Sequence, residues 1–136
     1  MKSRLVIKSE IASVESVYNW VEKVVSEVMA LTSQTDGAKT LRNILLITQE
    51  MVTNSILHGN REIKEKEVTI EITSDINHIV VDITDEGEGI KKLPLQEEAQ
   101  ELDYLAENGR GLKLAVLMTD KIELEGNRVR LIFKIS

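Results

Sequence analysis

The chain has no cysteine, which excludes disulfide frameworks, thiolate metal sites and cysteine nucleophiles. Two histidines are too few for a histidine-rich zinc site. One proline and seven glycines in 136 residues exclude collagen and proline-rich disorder. Aromatic residues make up 3%, so there are few platforms on which bases could stack. Basic residues are outnumbered by acidic ones, 17 to 23, for a formal charge of −6. A phosphate-backbone binder needs the opposite sign, and direct nucleic-acid binding is not expected. No apolar run approaches the ~18 residues that a membrane span needs. Residues 1–10 lack the apolar core of a signal peptide. The expected location is cytoplasmic, with no membrane partner. What remains, 42% hydrophobic and 29% charged, is the composition of one globular domain able to bury roughly two thirds of its unfolded surface.

Two hydrophobic periods divide the chain. Residues 4–8 read as a short strand. Over 11–31, Val14, Val17, Val21, Val24, Val25, Val28 and Leu31 recur at spacings of three and four, the pattern of an amphipathic helix. A polar stretch ending in Gly37 follows as a loop. A second helix is predicted over 38–58, with Leu41, Ile44, Leu45, Thr48, Met51, Val52 and Ile56 as its buried face, and Gly59-Asn60 stops it. The period then changes to two. Val68, Ile70 and Ile72, then Ile79, Val81 and Ile83, predict two strands joined by a turn at Asp75-Ile76-Asn77. A long irregular segment covers 85–108. A short helix starts near Gly109, and two strands at 121–125 and 129–135 flank a Gly126-Asn127 turn. The expected architecture is one α/β domain over 1–136: a two-layer sandwich with the helices on one face of a mixed, mostly antiparallel sheet.

Three short motifs carry polar groups into this apolar frame. On the second helix, Glu50, Asn54 and His58 stand at i, i+4 and i+8 and share one stripe. A carboxylate there can serve as a general base, and the Asn54 carbonyl oxygen is a hard ligand suited to Mg²⁺. The same spacing also reads as a solvated helix face with a structural His58. Asp85-Glu86-Gly87-Glu88-Gly89-Ile90 follows a strand. Its glycines permit close backbone approach of a ligand, and Asp85 can accept from an exocyclic amine; alone, it also reads as an ordinary glycine turn. Gly109-Arg110-Gly111-Leu112 opens an apolar helical run, where backbone N–H groups and the helix dipole receive phosphate oxygens. It is neither a Walker loop nor a Rossmann fingerprint. Between the glycine pairs, residues 97–107 hold five acidic residues and no basic one. This segment reads as a mobile lid over about 90–108 or as a solvated acidic stretch.

In order and spacing, Glu50-x-x-x-Asn54-x-x-x-His58-Gly59, Asp85-x-Gly87-x-Gly89 and Gly109-x-Gly111-Leu112 resemble the GHKL ATPase superfamily, which includes gyrase, Hsp90, histidine kinases and MutL. The compact lid and the leading strand and helix resemble, within it, the anti-sigma-factor serine kinases of the RsbW and SpoIIAB type. The resemblance spans nearly the whole chain and implies the Bergerat ATP-binding fold, with ATP or ADP and Mg²⁺ as cofactors. It implies that Glu50 activates a substrate hydroxyl, that Asn54 coordinates Mg²⁺ and that Asp85 recognises the adenine amino group. Gly87, Gly89 and Ile90 would then pass close to the nucleotide, and Gly109, Arg110, Gly111 and Leu112 would close over its phosphates. It further implies a homodimer, with the first strand and helix as the place to look for the interface. The implied partners are a small anti-anti-sigma antagonist phosphorylated on serine and a sigma factor. Two departures stand out. Glu125-Gly126-Asn127-Arg128-Val129 lacks the Gly-Thr pair that many members place before the last strand, near the adenine. A phosphorylatable histidine box with its dimerisation helices is also missing. The alternative is a nucleotide-gated protein-binding module with little or no kinase activity.

Overall fold

A computed structural model describes residues 1–31, 37–90, 93–96, 99 and 110–135. Strand β1 spans Lys2–Lys8 and leads through a short 3-10 turn into helix α1, Val14–Met29. Helix α2 covers Gly37–Asn54 and continues as a wider π turn over Ser55–Gly59. Strands β2, Glu67–Ser74, and β3, His78–Thr84, follow. Helix α3 is Arg110–Met118, and β4, Lys121–Glu125, and β5, Arg128–Lys134, close the chain. Most of the segment expected as a lid, together with Gly109, lies outside the described residues, as does the loop at 32–36.

The five strands form one sheet in the order β1-β2-β3-β5-β4. Every pairing is antiparallel, in line with the mostly antiparallel sheet expected and without its parallel part. The reason lies in the connections. Two helices between β1 and β2 make three reversals of the chain, so β2 returns antiparallel to β1. One helix separates β3 from β4, which makes those two strands parallel in sense, but β5 lies between them and no parallel ladder forms.

The two periods meet in a single core. Val17, Val21, Val24, Val25 and Val28 of α1 and Ile44, Leu45, Ile47, Met51 and Val52 of α2 are buried. They pack with Val68, Ile70, Ile72, Ile79, Val81, Ile83, Leu131 and Phe133 from one face of the sheet. Leu31, expected to extend the α1 stripe, falls past the helix end and is 89% exposed. The other sheet face is polar. There Asp82 of β3 stands opposite Arg130 of β5, and Arg130 donates to both carboxylate oxygens at 2.8 and 3.0 Å. That fork-on-fork bond keeps the Arg130 guanidinium protonated even more firmly than an ordinary arginine. The helices thus cover one face only, and α2 and α3 come together near the ends of β3 and β5.

Candidate functional site

Helix α2 carries the first motif and delivers it to two places. Near its end, Asn54 and His58 line a cleft of about 680 Å³ with Ser55, Gly59, Met51 and the Asp85–Ile90 segment. That volume lies within the range of small-molecule sites. Leu112 of α3, Asn127 of the β4–β5 turn and Val129 of β5 complete its walls. The third motif meets the first at one end of the cleft. Gly111 sits so close to α2 that an added Cβ would stand 2.9 Å from Asn54 Nδ2 and 3.5 Å from Glu50 Oε2. Glu50, Asn54 and the first turn of α3 therefore share one small volume. Arg110 opens that helix, and its side chain, like Gly109, is outside the described residues.

The second motif meets α2 at the far end. A Cβ on Gly59 would overlap the Asp85 carboxylate, and one on Gly87 would overlap the Gly59 carbonyl. Small residues are thus needed on both sides of the contact that brings Asp85 against the helix end. Gly89 adopts φ +86°, a conformation that favours glycine. Its Cα lies against the carbonyl of Gly126 in the β4–β5 turn. Asp85 Oδ1 accepts the Gly87 N–H at 2.8 Å, closing an Asx turn. The cleft lining mixes charges, with the acidic Asp85, Glu86 and Glu88 and the basic Arg61 and Lys66.

The helix ends in an unusual way. The Asn60 N–H reaches back to Ser55 O and the Glu62 N–H to Ile56 O, both at 2.8 Å. Arg61 and Glu62 then take left-handed backbone angles, φ 52° and 57°, in succession. Single-turn π segments and strained backbone gather at functional sites. Here they turn the chain so that Arg61, Ile63 and Lys66 reach the rim of the cleft.

Of the residues named from the sequence, Asn54, Asp85, Gly87, Gly89, Ile90 and Leu112 line the cleft. Glu50 and Gly111 stand beside Asn54 at its edge. Sequence reasoning passed over Asn60, Arg61, Ile63, Lys66 and Asn127. Asn60 and Asn127 read as turn residues, which they are, and nothing in a one-dimensional pattern says that they bond the Asp85–Glu86 turn.

The sequence matches the family profile of the histidine kinase-like ATPase domain over residues 7–133. The chain belongs to that family, and membership carries a nucleotide-binding, kinase-like ATPase fold with it. A comparison with curated proteins finds no match. Among solved structures, the chain is similar to the RsbU and RsbW domains of Rv1364c from Mycobacterium tuberculosis, with a TM-score of 0.62 at 11% identity, covering 98% of this chain and 31% of that one. It is also similar to the histidine kinase domain of the blue-light activated histidine kinase EL346 from Erythrobacter litoralis, with a TM-score of 0.50 at 14% identity, covering 90% of this chain and 60% of that one. At such identities the likeness is one of fold.

Proposed function

We propose that this domain is a regulatory protein kinase of the anti-sigma type, which binds Mg·ATP and phosphorylates a serine on a small antagonist protein. One observation carries the reading. Glu50 and Asn54 meet the start of α3 at one end of a single cleft, and Asp85 stands at the other. A ligand that spans them offers acceptor oxygens with a bound cation at one end, toward the α3 N–H groups and Asn54, and an amine donor at the other, toward Asp85, which suits a nucleotide with its metal. The donor set fits the metal as well. Among the described residues no three His, Cys, Asp or Glu side chains cluster as a metal cage, and Mg²⁺ is commonly held by one or two protein oxygens together with substrate phosphates and water. Asn54 would take that part. Bound Mg·ATP supplies the phosphoryl group and its charge neutralisation. The chain supplies position: Asp85 accepts from the adenine amine, the N–H groups at the start of α3 receive phosphate oxygens, and Glu50 takes the proton of the acceptor hydroxyl. The antagonist protein, a sequestered sigma factor and a homodimer through β1 and α1 belong to this proposal. No helix among the described residues is long and apolar enough to cross a membrane; the cytoplasmic location is part of the same proposal.

The test is transfer of label from γ-labelled Mg·ATP onto small antagonist proteins from the same cell, run with wild type and Glu50→Ala. The expected result is that Glu50→Ala loses about 100-fold or more in transfer, as removal of a general base does, while Mg·ADP still binds. Unchanged transfer would remove Glu50 from the mechanism. Binding without transfer in the wild type would favour the nucleotide-gated module instead.

A further inference from the structure

The Asp85 turn is gripped from two sides by asparagines. Asn127, in the β4–β5 turn, accepts the Asp85 N–H on its own carbonyl at 3.2 Å. Its Nδ2 donates to the Asp85 carbonyl at 2.5 Å. One residue on, the Glu86 N–H donates to Asn60 Oδ1 at 2.7 Å. Asn60 is fully buried. Its Nδ2 donates to Ser9 Oγ at 2.7 Å and to the Glu67 carbonyl at 3.0 Å. With both amide hydrogens engaged, the amide has one orientation, and Oδ1 faces Glu86. Ser9 Oγ in turn donates to the Lys66 carbonyl at 2.8 Å, so the network anchors the turn to the ends of β1 and β2. The next amide, that of Gly87, is taken by Asp85 Oδ1. Each backbone polar group from the Asp85 N–H to the Gly87 N–H that these bonds reach is committed, and the carboxylate is left with one orientation against Gly59.

We infer that Asn60 and Asn127 are positioning residues for base recognition, a pair of braces that hold the Asp85 carboxylate where it distinguishes an adenine from a guanine. The inference rests on the nucleotide reading of the cleft. Its chemistry is simple. Adenine presents an amine donor where guanine presents a carbonyl acceptor, and a fixed carboxylate accepts from the first and repels the second. A carboxylate free to swing loses part of that discrimination, because selectivity for a hydrogen-bonding group depends on polar partners that cannot re-pair elsewhere. Asn60 acts from the interior and Asn127 from the solvent side.

Calorimetric titration with Mg·ADP and Mg·GDP, neither of which carries the γ-phosphoryl group that a kinase transfers, tests this. Wild type is expected to prefer the adenine nucleotide by at least about tenfold. Asn127→Ala, at an exposed turn position, is expected to cut that preference about five- to tenfold. Asn60→Ala is expected to do the same; because it is buried and its loss can unfold the domain, Asn127→Ala is the decisive variant. Glu125→Ala is the control. It removes the Arg128–Glu125 ion pair across the same turn, 2.9 Å, and touches neither Asp85 nor the cleft lining. Its preference is expected to stay within about twofold of wild type, as for a surface pair. An unchanged preference in Asn127→Ala overturns the inference, and so does an equal loss in Glu125→Ala, which would mean that turn stability alone is being read. Failure of wild type to bind either nucleotide overturns the proposed function, and the inference with it, and is told apart from the other outcomes by wild type alone.

Discussion

At the scale of the residue, the site is built from what is missing as much as from what is there. Gly59 is the clearest case. A methyl group at this position would overlap the Asp85 carboxylate, and interiors this close-packed have no slack to absorb it. Gly59→Ala is therefore expected to lower Mg·ADP affinity about tenfold by pushing Asp85 off its position, with circular dichroism still showing a folded domain; unaltered affinity would mean that Asp85 does not touch the base. His58, by contrast, was legible only as a residue on the Asn54 stripe. It lines the cleft, and the spacing of four that put it there is the same whether a helix face is solvated or wraps a ligand. Asn60 was harder still. In sequence it is a helix stop beside a glycine. In the fold it is fully buried and bonded to Ser9, Glu67 and Glu86. A polar residue is committed to the interior only when partners from distant strands arrive together, and no local pattern reports that.

Among the elements, the strands and helices follow the two periods closely, and they differ from expectation at their ends. The second helix does not stop at a cap. It widens over Ser55–Gly59 and passes into two left-handed residues, a path that a glycine-asparagine stop signal does not specify. The β2–β3 hairpin does follow its turn chemistry. Asp75 Oδ1 accepts the N–H groups of Asn77 and His78 at 2.7 and 2.8 Å, which leaves Ile76 at the tip, 79% exposed. Those two backbone bonds hold the Asp75 carboxyl below its ordinary value of 3.8. A carboxyl depressed on folding contributes stability that is present above its unfolded value and is lost as pH falls through the folded one. Asp75→Asn is accordingly expected to lower stability slightly at neutral pH and to leave it nearly unchanged below about pH 4, so that the acid side of the profile is flatter, as followed by thermal melts across pH. An identical acid decline in the variant would place the titration elsewhere.

For the whole molecule, the consequence of the site is linkage. A ligand at 100 times its Kd stabilises a domain by about 2.7 kcal/mol, which for a chain of 136 residues is a rise of roughly 9 °C in Tm. That rise is expected with excess Mg·ADP, and Asn54→Ala and Asp85→Asn are each expected to remove most of it; no rise in wild type would leave a protein-binding domain without a nucleotide. The order of the three motifs was readable along the chain because each pairs a backbone requirement with one polar side chain at short range, and the periods of 3.6 and two placed each on its element. The sheet order was not readable, nor was the inward side of the Asp85 turn. The bonds that hold this turn join residues 26 and 42 positions apart, and the longer of them exists only because β5 inserts between β3 and β4. Local chemistry is written in spacing, so it survives in one dimension. Contacts made by the packing of a sheet exist only once the chain has closed on itself.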